Sequence, residues 1–314
     1  MARTADLKVF GQMNLDMLFS GFPRLPSAGE EVFADRFSIQ LGGGPMVYPI
    51  VLSALGVGAH LGTFLGDGPA ASMCRNLMAA RGFTAYDDFD VGIADPVVVT
   101  CVLSDTRDRR FVAYNRGARE SLLPEEAVYA YLKDARVISA PIGHERVTAA
   151  LHRRGTRVVF DVGWSDDLNI DALAPMLREV DIFAPNDKEA MKMTGCVTPD
   201  AALERIAGYT NGAIITLGEE GALYYDGGVR HLPALPGATC VDTTGAGDNF
   251  MAGVIYGLIR NLPLRECVIY GNIFAGISIG GLGCFGVPIG DETIEQKRKL
   301  YDTVSPNARS IFSS

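Results

Sequence analysis

Residues 241–253 contain the side chains whose types and spacing are best suited to chemistry. They read Val-Asp-Thr-Thr-Gly-Ala-Gly-Asp-Asn-Phe-Met-Ala-Gly. A strand-like entry, a turn at 245–247 and an apolar helix would leave backbone N–H groups unbonded at a helix N-terminus, where an anion is favoured. Asp248 would then stand in the first helical turn, at the mouth of a phosphate site. The same position also suits a helix cap, although capping alone does not require the two glycines before it.

Other phosphate-binding motifs are absent or lack the right surroundings. No GxxxxGK[ST] loop occurs, and no lysine follows the glycines at 245–247. One GxGxxG match lies at 281–286, but it follows a helical run at 267–279. A dinucleotide site needs a strand before its glycines. We therefore expect no Rossmann-type cofactor site.

Residues 242–253 resemble the C-terminal signature of the ribokinase-like sugar kinases, also called the PfkB carbohydrate kinase family. Supporting segments follow in the family's order across nearly the whole chain. Residues 11–16 resemble the segment after the family's first strand that contacts the sugar, and residues 41–44 together with 54–56 resemble its N-terminal signature. Residues 185–189 match its NxxE motif, and residues 216–222 resemble its nucleotide-binding turn. The resemblance implies the family's fold and its reaction.

That reaction is transfer of a phosphoryl group from ATP to a primary hydroxyl of a small sugar or sugar-like molecule. The resemblance makes Asp248 the general base. It makes the backbone N–H groups of Gly245, Ala246 and Gly247 the anion hole for the transferred group. The substrate's hydroxyls are assigned to residues near the first strand and the N-terminal signature: Asn14, Asp16, Gly42, Gly43 and Gly44.

The resemblance also implies a nucleotide pocket and sites for cations. Glu189 and Asn186 would position Mg²⁺ through water, because magnesium dehydrates reluctantly. The same pair is also typical of an ordinary capping box. The resemblance also makes Asp242 and Thr244 candidate ligands of a monovalent cation such as K⁺, which some family members bind. The sequence leaves open whether one binds here. The nucleotide is assigned to Asn186, Thr216, Gly218, Gly221 and Asn272.

The substrate end of the chain departs from the family pattern. The sixth position counted from Gly42 is Val47 instead of asparagine, and Gly44 replaces the lysine of ribokinase. Residues 161–163 read Asp-Val-Gly instead of Asp-Pro-Asn. We therefore expect ribose to be a poor substrate.

Two alternatives remain for the function. One is a kinase for a nucleoside or for an anionic sugar, such as a sugar acid or a sulfonated sugar. Arg116 would hold the anion bidentately, as the favoured member of a group of arginines at 109, 110, 116 and 119. The other is a non-catalytic sugar or nucleotide sensor, which would not need a base such as Asp248.

The candidate site residues come from many parts of the sequence, so helices and strands must bring them together. Short apolar runs alternate with amphipathic helical segments, which is typical of a mostly parallel sheet with helices on both faces. The pattern predicts an α/β fold, which the resemblance specifies as a ribokinase-like three-layer sandwich formed by a single domain over residues 1–314. Strands are expected at 7–10, 59–64, 136–139, 157–161, 181–184 and 213–217.

Two inserted segments, at about 12–40 and 95–118, interrupt this alternation and predict a small β-sheet lid. Runs at 97–103 and 111–115 flank a charged turn at 105–110 and indicate a hairpin. Because a few strands cannot form a core alone, they should project from one edge and cover a ligand. The resemblance implies that the lid leaves one sheet face uncovered, and we therefore expect a homodimer through the lid.

Composition excludes several classes of protein. With 37 acidic and 28 basic residues the formal net charge is −9, and no basic arm is present, so we expect no nucleic-acid partner. The six cysteines form no CxxC pair and the four histidines lack metal-ligand spacing, which fits a reducing cytoplasm. Two uncharged stretches, 37–66 and 268–290, are broken by glycine and proline and predict no membrane span.

Overall fold

A six-stranded parallel sheet forms the centre of the molecule in a computed structural model, which describes residues 4–104 and 109–304. Each predicted strand in this sheet is confirmed to within two residues. The short edge strand β5 was not predicted, because Tyr-Asp-Asp has no strand-like alternation. In spatial order the strands are β10 (Ile182–Phe183), β9 (Arg157–Phe160), β8 (Ala135–Ser139), β1 (Ala5–Phe10), β4 (Ala59–Thr63) and β5 (Tyr86–Asp88).

Helices cover both faces of this sheet, which gives the three layers expected. Successive strand residues point to opposite faces, so Val9 packs into one core and Phe10 into the other. The Val9 side holds α1 (Val47–Ser53), α2 (Pro69–Ala80), α8 (Ala246–Ile259), α9 (Leu264–Ser278) and α10 (Asp291–Val304). The Phe10 side holds α3 (Glu125–Leu132), α4 (Glu145–His152), α5 (Ile170–Leu177), α6 (Asp187–Thr194) and α7 (Pro199–Ala207).

A three-stranded antiparallel sheet adjoins the β10 edge. It contains β11 (Ile214–Thr216), β12 (Ala222–Tyr225) and β13 (Val229–Leu232). Parallel bridges join Phe183 to Ala213 and Asn186 to Thr216. The β11 strand was predicted, whereas the β12–β13 hairpin was not. These bridges place the turn after β11 beside the start of α6.

The lid is a separate four-stranded sheet. Its strand order is β3 (Arg36–Leu41), β2 (Asn14–Ser20), β6 (Val98–Ser104) and β7 (Arg109–Tyr114). The β6–β7 hairpin is confirmed, and β2 and β6 pair in parallel. The predicted turn at 105–110 is wrong for its last two residues, because Arg109 and Arg110 belong to β7. The rest of the predicted turn, residues 105–108, lies outside the described residues.

The two uncharged stretches have different places in this fold. Residues 37–66 contain most of β3, then α1 and β4, and residues 268–290 contain most of α9 and a glycine-rich turn. In the part of the chain that the structure describes, no helix has both the length and the apolar character needed to cross a membrane.

Candidate active site

The N-terminus of α8 forms the turn that we call the anion-binding turn after its predicted role. Gly245 adopts a left-handed conformation (φ 73°), and a Cβ there would lie only 2.8 Å from the Cα of Cys284. Within the described residues, the Ala246 N–H donates to the Thr243 carbonyl at 3.2 Å, whereas the N–H groups of Gly247 and Asp248 meet no protein acceptor. The turn therefore has free N–H donors where the sequence predicts an anion hole, and anion binding there stays a prediction.

The Asp248 carboxylate lies against the backbone that precedes α1. Its Oδ1 accepts the Gly44 N–H at 3.0 Å. A Cβ on Gly43 would come within 2.6 Å of Oδ2. Burial raises the pKa of Asp248 to about 7, and the charges of Asp16 and Glu189 add to this rise while the Gly44 hydrogen bond opposes it. A carboxylate with this pKa is suited to accepting a proton near neutral pH.

Lid strand β2 contributes the other predicted hydroxyl-binding groups. Asp16 is buried, and burial raises its pKa to about 6 despite a hydrogen bond with Thr100. The Asn14 Nδ2 donates to the Gly43 carbonyl at 2.9 Å. A Cβ on Gly42 would meet the Asp16 Oδ1 at 2.5 Å. The structure thus brings Asn14, Asp16 and Gly42–Gly44 together beside Asp248.

Asp161 and Tyr48 belong to the same region and were not predicted as site residues. Asp161 directly follows β9, and burial together with the charges of Asp248 and Glu189 raises its pKa well above the usual range. Its Oδ1 accepts the Val162 N–H at 2.8 Å, and its Oδ2 accepts the Tyr48 hydroxyl at 3.4 Å. The position after a parallel strand was a usable signal for Asp161; Tyr48 offered none.

Asn186 and Glu189 form a capping box at the start of α6. The Glu189 N–H donates to Asn186 Oδ1 at 2.9 Å, and the Asn186 N–H donates to Glu189 Oε2 at 3.0 Å. Both hydrogen bonds of the capping interpretation are therefore present. Burial raises the pKa of Glu189, so its charge is poorly stabilised by the protein alone.

The carboxylates near α6 suit a divalent cation held through water. In the described residues no lysine or arginine forms an ion pair with Asp161, Glu189 or Asp248, although their charges act on one another. No group of three His, Cys, Asp or Glu side chains in those residues converges on a metal position. Mg²⁺ keeps several waters and relies on substrate phosphates, so Glu189 and Asn186 are the residues that would hold it through water.

The predicted nucleotide residues lie around the turn after β11. Thr216 donates its N–H to the Pro185 carbonyl at 3.0 Å, and Gly218 and Gly221 both have left-handed φ values (59° and 97°). Asn272 Nδ2 donates to the Pro233 carbonyl at 3.0 Å, and the Tyr301 hydroxyl donates to the same carbonyl at 2.6 Å. Asn272 therefore supports the loop packed on Gly221; its contact with a nucleotide stays a prediction.

The side chains of Asp242 and Thr244 are joined to each other. Asp242 Oδ1 accepts the Thr244 N–H at 3.0 Å and the Thr244 hydroxyl at 2.8 Å, and Oδ2 accepts the Gly283 N–H at 2.8 Å. Binding of a monovalent cation by Asp242 and Thr244 stays a prediction. These contacts tie the anion-binding turn to the glycine-rich segment at 281–286, which serves packing.

Arg116 lies at the surface after β7. Its guanidinium is 3.7 Å from an Asp95 oxygen, and its Nε donates to the Tyr114 hydroxyl at 3.2 Å. The contacts that the structure gives Arg116 do not include Asp16 or Asp248. Its predicted role toward an anionic sugar stays a prediction.

An aspartate base beside an anion-binding helix N-terminus is what phosphoryl transfer to an alcohol requires, and a lid carboxylate can bind the acceptor's hydroxyls. The fold and this site define the class of the protein as an α/β kinase of small molecules. Residues 4–288 match the model of the pfkB family carbohydrate kinases. The chain belongs to this family.

Individual relatives agree with this assignment. A cytidine kinase of Thermococcus kodakarensis is 37% identical over 158 residues, which are 48% of this chain and 55% of that protein. A ribokinase of Lactococcus lactis subsp. lactis is 24% identical over 291 residues, covering 89% of this chain and 92% of the relative. A solved ribokinase from Thermotoga maritima is similar in fold, with a TM-score of 0.77 at 22% identity over 94% of this chain and 99% of that one.

Proposed function

We propose that the protein transfers the γ-phosphoryl group of ATP to a primary hydroxyl of a small sugar or sugar-like molecule. The observation that carries the proposal is the placement of Asp248 between the anion-binding turn and the buried lid carboxylate Asp16. Asn14 and Asp16 bind acceptor hydroxyls, and Asp248 takes the proton of the hydroxyl that attacks phosphorus. The N–H groups of Gly247 and Asp248 receive the charge on the transferred group.

Magnesium, bound with ATP, supplies positive charge to the phosphates. Glu189 and Asn186 hold its water, and Asp161 faces the same region. The electrostatic coupling among Asp161, Glu189 and Asp248 supports this assignment, because a cation relieves their mutual repulsion. The turn at Thr216, Gly218 and Gly221 receives the rest of the nucleotide.

The test of the base is Asp248→Asn, which keeps the side chain's size but cannot accept the hydroxyl proton. Turnover should fall by about 10² to 10⁴, the usual value of a general base, while ATP affinity stays nearly unchanged. Steady-state turnover and nucleotide binding are measured side by side, with the surface change Asp167→Asn as the control. Retention of more than about a tenth of wild-type turnover would refute the assignment.

A nucleoside is the second candidate for the acceptor. A cavity of about 540 Å³ lies between the lid and the anion-binding turn, with Leu18 and Val102 on one side and Val241 and Leu282 on the other. Leu18 and Val102 continue the lid face that carries Asp16, because cross-strand partners share a face. The volume lies in the range of drug-sized ligand sites, about 300–1,000 Å³, which favours an acceptor with a second group beyond its sugar.

An acceptor panel decides between these substrates. ADP release is measured with ribose, fructose, a sugar acid, a sulfonated sugar and a nucleoside, and kcat/KM is compared. Ribose should be poor, and a nucleoside as the best acceptor would establish the second candidate. An anionic sugar as the best acceptor would implicate Arg116, whose change to alanine should then raise KM for that sugar and hardly for a neutral one. No ADP release with any acceptor would favour the sensor.

A further inference from the structure

Helix α1 presents a tyrosine hydroxyl, and not the expected asparagine, to the carboxylates of the site. Val47, at the position where the family places asparagine, is fully buried (0% exposed) in the core. Tyr48 is also buried (1% exposed), but its hydroxyl reaches Asp161 Oδ2 at 3.4 Å. The polar group on this part of α1 is therefore displaced by one residue.

The two oxygens of Asp161 are each held by one donor. The Val162 N–H donates to Oδ1 at 2.8 Å from the adjoining backbone, and Tyr48 donates to Oδ2 from a different element. The charges of Asp248 and Glu189 both act on Asp161. Because like charges repel, a carboxylate held on one side only would be free to rotate away from them. The Tyr48 hydroxyl supplies the donor on the second side.

We propose that Tyr48 is a positioning residue of the phosphoryl-transfer site, which holds the Asp161 carboxylate beside Glu189 and Asp248 so that Asp161 shares the water shell of the divalent ion. The inference rests on the proposed kinase function and adds Tyr48 and Asp161 to its machinery. Burial and the charges of Asp161 and Asp248 also raise the pKa of Tyr48 well above its usual range, so the hydroxyl keeps the proton it donates.

The first test is Tyr48→Phe, which removes the hydroxyl and keeps the ring. The unfolding temperature is followed against Mg²⁺ concentration in saturating ADP. The Mg²⁺ concentration that gives half of the stabilisation should rise about three- to tenfold, the value of one hydrogen bond. In turnover assays, kcat should fall by a similar factor while the acceptor KM stays unchanged.

Tyr131→Phe is the matched control. Tyr131 is also buried, and its hydroxyl also makes a 3.4 Å hydrogen bond, but to the Val9 carbonyl in the core on the other face of the sheet. This change should leave both the Mg²⁺ midpoint and kcat as in the wild type. Equal midpoint shifts in the two variants would overturn the proposal, because they would reflect a general loss of packing.

A double-mutant cycle with Asp161→Asn tests whether Tyr48 acts through Asp161. Asp161→Asn should raise the Mg²⁺ midpoint by itself, and adding Tyr48→Phe should raise it no further, since coupled residues are not additive. Additive effects would overturn the proposal. Asp161→Asn also provides a reading if Tyr48→Phe does not fold.

The thermal measurement needs no acceptor, so it separates this inference from the proposed function. If no acceptor is phosphorylated but the Mg²⁺ midpoint shifts as expected, the kinase proposal fails, and only the role of Tyr48 in holding Asp161 toward the divalent ion stands. A wild-type midpoint in Tyr48→Phe would overturn the role of Tyr48, and so would a wild-type protein that Mg²⁺ does not stabilise. If Asp248→Asn retains activity, that result refutes only the role of Asp248 as the general base.

Discussion

At the scale of single residues, the site depends on glycine backbone that lies directly against carboxylates. Gly42 and Gly43 contact Asp16 and Asp248 at distances where no Cβ fits without movement. Neither glycine has a left-handed φ, so side-chain space and not backbone strain requires glycine there. A methyl group at either position would push a carboxylate away from its place.

Gly43→Ala should therefore impair catalysis more than folding. The added Cβ would lie 2.6 Å from Asp248 Oδ2, the end of a flexible side chain that can swing aside. We expect kcat to fall between about tenfold and 10²-fold, because small displacements of a reacting group have large effects. Gly228→Ala, where nothing lies within 4 Å of the new Cβ, is the control. Unfolding temperature and kcat are measured for both, and an unchanged kcat in Gly43→Ala would contradict the packing argument.

The raised pKa of Asp248 predicts two effects of pH. Activity should fall as pH drops below about 7, because the base must be ionised to take a proton. Stability should change in the opposite sense. The pKa of Asp248 is about 7 in the folded protein and 3.8 for an ordinary aspartate, so the stability from this group is present below pH 3.8 and is lost as pH rises through 7.

The pH profile of kcat in the wild type checks the first effect, and Asp248→Asn, which removes this titration, allows the effect on stability to be checked. The unfolding temperature of Asp248→Asn, taken relative to that of the wild type, should increase as pH rises from about 5 to about 8, since only the wild type acquires the buried charge. Calorimetry of both proteins across this range gives the difference. A difference that does not vary with pH would count against the assigned pKa.

At the scale of elements, α6 positions Glu189 by its own N-terminal geometry. The capping box orients the side chain toward the Asn186 backbone, and α6 starts directly beside the turn after β11. The capping role therefore leaves room for the proposed metal role, because the two oxygens of a carboxylate can serve different partners.

Glu189→Gln separates these two roles. The amide oxygen can still accept the Asn186 N–H, so α6 should keep its cap, but the charge is lost. The apparent Mg²⁺ affinity should weaken by about tenfold or more, as for other residues that orient a metal's ligands. The magnesium dependence of turnover is measured beside Thr198→Ala, which removes the cap of α7. Thr198→Ala should cost about 1 kcal/mol of stability without affecting Mg²⁺. Normal magnesium dependence in Glu189→Gln would assign the residue to capping alone.

The register of the lid decides which of its side chains face the site. Asp16 pairs with Gln40 and Thr100, and Met17 pairs with Ile39 and Cys101. A slip of one residue would turn Asp16 outward and Met17 inward. The single parallel pair, β2 with β6, ties two distant segments of the chain into this register.

At the scale of the whole molecule, the lid face opposite Asp16 is apolar and exposed. Val112 (68% exposed), Tyr114 (59%) and Phe37 (56%) lie on this outer face, because their strand partners Cys101, Val99 and Phe19 alternate with Thr100 and Asp16 along β6 and β2. Exposed apolar sheet surface of this kind favours association. A second copy of the chain, paired lid to lid, is the predicted occupant.

Val112→Lys should therefore dissociate the predicted homodimer into single chains. A buried lysine opposite its own copy is unfavourable, since like charges would face each other across the two-fold axis. Sedimentation equilibrium should show the mass falling from twice to once the 33.6 kDa of the chain. Val197→Lys, on a still more exposed valine (91%) of the α6–α7 connection, should leave the mass unchanged. A wild-type mass of one chain would refute the lid dimer.

Local physics explains what could be predicted from the sequence. Strand periodicity, the glycines before α8 and the Asn186–Glu189 capping box each depend on residues within a few positions of one another. Their geometry follows from backbone sterics and from hydrogen bonds along the chain. The central strands, the anion-binding turn and the β6–β7 hairpin were therefore predictable. β5 was not, since three polar-rich residues become a strand only beside β4.

Contacts between distant residues were decided by the tertiary structure alone. The Tyr48 hydroxyl donates to Asp161, the Gly283 N–H donates to Asp242, and the Asn272 side chain donates to the Pro233 carbonyl in the loop after β13. The two residues of each pair are far apart in the chain. The burial that sets the pKa of Asp248 also comes from segments brought together by the fold. No local pattern encodes such pairs, because packing of layers, strand register and exclusion of water arise only when the whole chain is folded.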